Sequence, residues 1–349
     1  MANSSAEHAA MARALELAQT PGVPLGPNPR VGCVIIEPDG TAAAEGFHRG
    51  AGSVHAEVDA LRHAGDRTAR GATAVVTLEP CNHTGRTGPC AQALIEAGVI
   101  RVVFAQSDPN PVASGGTATL TAAGLDVEGG LFADEARAVN EVWTFAVEHQ
   151  RPFVTWKLAT TLDGWSAAAD GTSRWVSSAP ARRDTHRLRA LCDTILVGTW
   201  TVLVDDPQLT VRDENDVPLP RDRQLLRAVM GRREIPADRR VLDDAADTVV
   251  LHTRDPHKAL AELFARGRQH VLLEGGPTLA AAFLEAEVAD EVVAYVSPTL
   301  LGAGRSAVGD LGIETIADAL RFDVDDVTVL GEGPETNVRL TMAPREVGS

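Results

Sequence analysis

Residues Ala74 to Ala105 read AVVTLEPCNHTGRTGPCAQALIEAGVIRVVFA. Ala74–Leu78 is a short, β-branched apolar run, the pattern of a buried strand. Cys90–Ala97 has helical spacing, and Arg101–Ala105 is a second apolar strand. Strand, helix and strand joined by Gly- and Pro-marked segments are the building unit of a layered α/β domain. Upstream, Ala9–Gln19 places Met11, Leu15 and Ala18 on one helical face. Val31–Ile36 reads as a buried strand closed by the turn Pro38-Asp39-Gly40, and His55–His63 as a helix. A sheet with helices on both faces is therefore predicted for the first part of the chain.

The same stretch carries chemistry. Cys81 follows the strand, Cys90 opens the helix, and His55-Ala56-Glu57 lies at the start of the upstream helix. A catalytic zinc takes three protein ligands and keeps one position for water. His55, Cys81 and Cys90 supply that number, and Glu57 supplies an acid to move protons. Zinc lowers the pKa of its bound water from about 15.7 to about 7. This set hydrolytically deaminates an aminated heterocycle, and in nucleic-acid deaminases it is written H-x-E with P-C-x-x-C. Here the second cysteine comes nine positions after the first, across a Gly- and Pro-rich loop. Both cysteines precede helix-like segments, and a helix N-terminus favours thiolate. Cys33, inside an apolar strand, reads as a core residue. His83 as a fourth ligand would close the site and leave a structural zinc, in which Glu57 has no task.

The polar stretch Glu148-His149-Gln150-Arg151-Pro152 follows a predicted helix over Glu135–Val147 and separates a domain over 1–148 from one over 149–349. In the second, strands are predicted at Phe153–Leu158, Thr194–Val197, Leu226–Met230, Thr248–His252, Val271–Glu274 and Val292–Val296. Helices at Ala181–Leu191, Pro256–Ala265 and Thr278–Glu285 lie between them. This is another α/β domain. Asp213–Pro220 reads as a surface loop. Glu274-Gly275-Gly276-Pro277-Thr278-Leu279 joins a strand to a helix, where backbone N–H groups can face a phosphate. It is neither a G-x-G-x-x-G fingerprint nor a Walker loop, and a plain turn fits it equally well. Arg182, Arg183, Arg187 and Arg189 cluster on one predicted helix, with Arg212 downstream. They form either a solvated face or a site for a phosphate-bearing ligand.

The formal net charge of −16 argues against a nucleic-acid binder, which needs a basic footprint. No run approaches the roughly 18 apolar residues needed to span a bilayer. Four cysteines in 349 residues suggest a cytoplasmic chain with thiols free for metal.

Longer motifs point to a family. Pro27-Asn28-Pro29-x-Val31-Gly32-Cys33-Val34, Gly46-Phe47-His48, His55-Ala56-Glu57-Val58, Thr77–His83 with Gly85-Arg86-Thr87 and Cys90, and Asp108-Pro109-Asn110-Pro111 run in order. They resemble the deaminase half of the bifunctional bacterial riboflavin biosynthesis deaminase–reductases. The reductase half is matched by Lys157-Leu158-Ala159, Leu162-Asp163-Gly164, Ser173-x-Trp175, Ala181-Arg182-x-x-x-His186-x-Leu188-Arg189-Ala190, Thr201–Arg212 and Glu274-x-Gly276-Pro277-Thr278-Leu279. The eight-residue spacer between Cys81 and Cys90 is that family's pattern.

The resemblance implies a cytidine-deaminase-like three-layer α/β/α domain followed by a dihydrofolate-reductase-like α/β domain. It implies zinc-dependent deamination of 2,5-diamino-6-ribosylamino-4(3H)-pyrimidinone 5′-phosphate. NADPH-dependent reduction of the ribosyl group of 5-amino-6-(5-phosphoribosylamino)uracil to ribityl would follow. Zinc falls to His55, Cys81 and Cys90, with Glu57 as proton shuttle; Asn28, His48 and Arg86 line the first pocket. Ser173, Arg189, Leu209, Arg212 and Glu274 would contact the reductase substrate. Ala159, Trp175, Thr201, Asp205 and Gly276, Pro277, Thr278 and Leu279 would contact NADPH. A homo-oligomer is also implied. The chain departs from the pattern in two places: Thr161 replaces the usual Ser before Leu-Asp-Gly, and Gly231-Arg232 replaces the usual Asp-Ser. Arg232-Arg233 would then be the local substitute, toward the 2′-phosphate of NADPH. The competing readings are a nucleoside or nucleic-acid deaminase with an unrelated second domain, and a catalytically dead zinc scaffold.

Overall fold

The computed structural model describes residues 3–83 and 88–345. It divides into two compact units, Met1–Gln150 and Arg151–Ser349.

In the first unit the strands are β1 (Gly32–Ile36), β2 (Ala42–Phe47), β3 (Thr73–Leu78), β4 (Arg101–Gln106) and β5 (Asp126–Gly129). The helices are α1 (Ser5–Ala18), α2 (Ala56–Thr68), α3 (Cys90–Glu96), α4 (Gly116–Ala122), α5 (Ala133–Val139) and α6 (Glu141–His149). The sheet order is β2-β1-β3-β4-β5, with β1 antiparallel to both neighbours and β3, β4 and β5 parallel. Successive side chains of a strand point to opposite faces, and β1 divides accordingly. Cys33 and Ile35 pack with Ala56, Ala60, Leu94 and Trp143 on one face. Val34 and Ile36 pack with Met11, Ala14 and Ala136 on the other. The result is the expected three-layer α/β/α sandwich. Cys33 is a core residue, as its strand suggested.

One expectation is corrected. The pattern over Glu135–Val147 predicts one helix, but two form, α5 and α6, broken at Asn140. The buried Asn140 side chain accepts from the Arg30 N–H at 2.8 Å and donates to the Arg30 carbonyl at 2.9 Å. A polar group taken out of water must be hydrogen-bonded, and this tertiary pairing fixes the break.

The second unit contains β6 (Phe153–Thr161), β7 (Trp165–Ala168), β8 (Thr194–Gly198), β9 (Leu226–Met230), β10 (Thr248–Leu251), β11 (His270–Leu273), β12 (Glu291–Ser297), β13 (Gly304–Ser306), β14 (Phe322–Leu330) and β15 (Asn337–Pro344). Its helices are α7 (Ala179–Ala190), α8 (Thr199–Asp205), α9 (Pro256–Ala265) and α10 (Pro277–Glu285). The main sheet runs β10-β9-β8-β11-β6-β12-β15-β14. It is parallel through β12, and the β14–β15 hairpin adds two antiparallel strands. Leu196, Met230 and Leu273 pack with Leu260 and Phe283 of α9 and α10 on one face. Ile195, Val197 and Val229 pack with Val202, Leu209 and Val211 on the other. Start signals are local: Asp255 caps the α9 backbone N–H groups of His257 and Lys258, with Pro256 as first residue.

His270, at the start of β11, places Nδ1 3.0 Å from the Leu191 carbonyl and Nε2 2.9 Å from Thr155 Oγ1. Burial pushes its pKa from 6.5 down to about 4, against the opposite pull of the Leu191 carbonyl. The folded chain therefore holds a neutral ring that the unfolded chain would protonate near pH 6.5. Stability is complete above that pH and is lost as pH falls toward 4. We expect Tm to drop across this window and His270→Gln to flatten the drop. Superimposable Tm–pH profiles of the two proteins would contradict this.

Candidate functional site

His55 caps the start of α2 in extended backbone, so its ring leaves the helix end while Glu57 sits in the first turn. α2 can lie on β2 because Gly46 has no side chain. A Cβ there would fall 2.3 Å from the Ala60 nitrogen and 2.5 Å from the Ala56 carbonyl oxygen. Asp59 reinforces this contact, accepting the Phe47 N–H at 3.2 Å and pairing with Arg49 at 2.8 Å. Cys81 leaves the end of β3, and Cys90 is the first residue of α3. Cys81 thus heads no helix, contrary to expectation. It reaches the α3 N-terminus through space, its Sγ accepting the Cys90 N–H at 3.4 Å.

The three donors converge. His55 Nδ1 lies 3.2 Å from Cys90 Sγ and 3.5 Å from Cys81 Sγ. One ligand atom from each residue lies within 4.8 Å of the others, close enough to share one ion. An imidazole and two thiols are the donor set zinc prefers. The hydrogen bond Cys81 accepts from Cys90, and then the one it accepts from His55, draw its thiol below the ordinary range. Glu57 is buried; burial first, and the Cys81 charge second, raise its carboxyl to about 7.

His55, Glu57 and Cys81 border a cavity of about 200 Å³. Asn28 and His48, both anticipated from the sequence, line it and bond to each other, Nδ2 to Nε2 at 3.0 Å. His48 Nδ1 faces the Val54 carbonyl at 2.9 Å, and burial lowers its pKa, so the ring is neutral and Nε2 accepts from Asn28. His83 lines the cavity but stands outside the donor cluster. Arg86 lies outside the described residues. Glu79, Asp108, Asn110 and Trp143 also line the cavity. Burial raises Asp108 to about 6. The Asp108–Pro111 motif was visible in the sequence without a place in the site. Trp143, on α6, had no local signal.

In the second unit, Ala159, Glu274, Gly276 and Pro277 share a cavity of about 140 Å³ with Lys157 and Ser166. Ser173 and Trp175 line another, of about 510 Å³, with Arg182 and Asn337. Thr201 comes close to the glycine turn, its Oγ1 3.8 Å from where a Cβ on Gly276 would stand. Leu279 packs beneath Gly275, where a Cβ would fall 2.5 Å from it. Thr278 and Asp205 are exposed.

Arg189 and Glu274, both expected to face substrate, face each other. Nε donates to Oε1 at 2.6 Å and Nη2 to Oε2 at 2.9 Å, while Nη1 donates to the Thr210 carbonyl at 3.0 Å. Burial alone would raise Glu274, but Arg189, then Lys157 and His186, hold it at about 2. Burial lowers the pKa of Lys157. Arg212 bonds Thr210 Oγ1, the Asp216 carbonyl and Gln208 Oε1 instead. The Leu209 side chain belongs to the core, leaving its backbone, held at φ 54°, for any ligand. A residue the sequence did not single out fixes this segment. Arg227, wholly buried, donates to the Gln208 carbonyl at 3.3 Å and to Asp243 Oδ1 at 2.7 Å.

Two family profiles match separate parts of the chain. Residues 4–106 match the cytidine and deoxycytidylate deaminase zinc-binding region. Residues 152–334 match the RibD C-terminal domain. Fold and profiles together define a two-domain enzyme, a zinc-binding deaminase joined to a reductase. The chain is 50% identical to the riboflavin biosynthesis protein RibD of Mycobacterium tuberculosis, over 87% of this chain and 89% of that protein. It is 41% identical to the RibD of Escherichia coli over 92% and 96%. The solved structure of Acinetobacter baumannii RibD superposes with a TM-score of 0.87 at 37% identity, covering 98% of this chain and 99% of that one. The Thermotoga maritima diaminohydroxyphosphoribosylaminopyrimidine deaminase/5-amino-6-(5-phosphoribosylamino)uracil reductase gives 0.83 at 32%, over 97% and 99%. This chain belongs to the RibD family of bifunctional riboflavin biosynthesis enzymes. Among the described residues no helix is long and apolar enough to cross a membrane.

Removing one partner of a buried ion pair leaves the other charge uncompensated, at a cost of about 3–5 kcal/mol. Arg189→Ala should destabilise the second unit by roughly 3 kcal/mol in urea unfolding. Adding Glu274→Gln should restore part of that loss; strictly additive losses in the double variant would contradict the pairing.

Proposed function

We propose that the first unit hydrolyses the exocyclic amine of 2,5-diamino-6-ribosylamino-4(3H)-pyrimidinone 5′-phosphate. The supporting observation is the convergence of His55, Cys81 and Cys90 beside the buried acid Glu57, at the edge of a cavity. One zinc per chain, held by His55 Nδ1 and the two thiolates, would supply the Lewis acidity that makes water a nucleophile near neutral pH. Glu57 takes a proton from the water attacking the aminated ring carbon and returns protons to the ring nitrogen and to the departing ammonia. Burial raises the Glu57 carboxyl to about 7, toward the range that suits a group passing protons in both directions. Asn28, His48 and Arg86 complete the pocket. Asp108 and Asn110 add polar groups suited to the edge of a pyrimidine.

The second unit reduces the ribosyl group of the deaminated product to ribityl. Its glycine turn fits a dinucleotide, because a Cβ on Gly276 would meet only Thr201 Oγ1, at 3.8 Å, which leaves the backbone open beside that hydroxyl. NADPH bound there would supply the hydride. Ala159, Trp175, Thr201, Asp205 and Gly276 to Leu279 hold the cofactor, and Ser173, Arg189, Leu209, Arg212 and Glu274 position the substrate. Arg189 acts through Glu274 and the Thr210 carbonyl, and the buried pair fixes where the Glu274 carboxylate points. The four free cysteines support a cytoplasmic location.

A coupled assay tests the assignment by reading ammonia release and then NADPH consumption. Glu57→Gln should abolish ammonia release, a loss of at least about a hundredfold. It should leave NADPH consumption intact when the deaminated intermediate is supplied. A zinc chelator should reproduce that split. Loss of both activities on Glu57→Gln would contradict separate sites.

A further inference from the structure

We infer that Arg233, braced on Trp200, selects NADPH over NADH by binding the 2′-phosphate of the cofactor. This rests on the reductase reading of the second unit. Parallel β8 and β9 are paired with Gly198 opposite Met230, so the segments that follow them leave the same edge of the sheet side by side. Trp200 is the second residue beyond β8, and Arg233 the third beyond β9. The Arg233 guanidinium carbon stands 5.0 Å from the centroid of the Trp200 ring, within cation–π range.

Neither residue serves the core. Trp200 is 58% exposed, an unusual position for so large an apolar surface. Arg232 and Arg233 are both exposed. Among the described residues no carboxylate forms an ion pair with either, whereas Arg189, Arg212 and Arg227 each have one. Arg233 therefore presents a planar fork of donors held in direction by an indole face.

The location agrees with this chemistry. In open α/β sheets ligands bind beyond the carboxyl ends of the strands, and an arginine there accommodates the 2′-phosphate of NADP. The same edge carries Thr201 and the turn Glu274–Pro277, linked to β8 by the hydrogen bond from the Glu274 N–H to the Leu196 carbonyl at 3.0 Å. A phosphate is a poor match for a chain of net charge −16 unless a local cation receives it. The exposed indole adds an apolar face on which an adenine can stack, and that contact is shared by NADPH and NADH. The two residues thus divide the work: Trp200 holds the base, and Arg233 reads the phosphate.

Equilibrium binding tests this without turnover. Isothermal titration of the full-length protein with NADP+, NAD+ and 2′,5′-ADP would be compared for wild type, Arg233→Ala and Trp200→Ala. Arg233→Ala should weaken NADP+ and 2′,5′-ADP by roughly tenfold or more, and NAD+ by much less. Trp200→Ala should weaken NADP+ and NAD+ by similar factors. If Arg233→Ala leaves NADP+ affinity unchanged, or weakens both dinucleotides equally, the inference is overturned and the reductase reading stands. If wild type binds none of the three ligands, the reductase reading fails and takes the inference with it.

Discussion

An imidazole from the start of one helix, a thiol from the end of a strand and a thiol from the start of another helix have to meet within bonding reach of one ion. Everything proposed for the first unit depends on that meeting. His55, Cys81 and Cys90 are spread over 36 residues of chain, and their donor atoms lie within 4.8 Å of one another. The sandwich supplies the convergence. β3 delivers Cys81 to its carboxyl end, α3 begins beside it, and α2 is pressed onto β2 at Gly46 so that His55 arrives from the other side. Burial of the same corner makes Glu57 a weak acid. Fold and chemistry are therefore one constraint: a side chain at position 46 would displace the helix whose start carries both His55 and Glu57.

The second unit obeys a different constraint, the placing of charges at the edge of a parallel sheet. Glu274 stays ionised at the end of β11 because Arg189 grips both of its oxygens, with Lys157 and His186 adding to the effect. The segment Gln208–Arg212 is fixed from beneath by Arg227 and from above by the bond from Arg189 to Thr210. A buried charge of this kind does more for geometry than for stability, since its desolvation cost offsets much of its attraction. Here the geometry fixed is that of the Glu274 carboxylate, which lines the cavity beside Lys157 and the glycine turn.

Much of this was legible in the primary structure, for physical reasons. A strand buried on both faces is a continuous apolar run, so β1, β3, β4, β8 and β9 were readable. The three converging donors, His55, Cys81 and Cys90, were readable because each sits in a short motif whose proposed chemistry demands those residue types. What escaped depended on distant partners. The break at Asn140 exists because Arg30 lies opposite it, 110 residues away. β14 is a largely exposed, acidic strand whose end residues Phe322 and Leu330 are its contacts with the core. α8 is rich in Thr and Val and lacked a helical signature. Arg189 and Glu274 were each read as ligand contacts, and their pairing across 85 residues could not be seen locally. Trp143 enters the first cavity only because α6 packs under β1.

X-ray absorption at the zinc edge of the purified protein addresses the central claim most directly, because it counts ligands without substrate or turnover. The account predicts two sulfurs at about 2.3 Å, one nitrogen at about 2.0–2.1 Å and one oxygen from water. The water signal should be perturbed when a pyrimidine ligand is added. A shell of four protein donors, or zinc bound without sulfur, would contradict it.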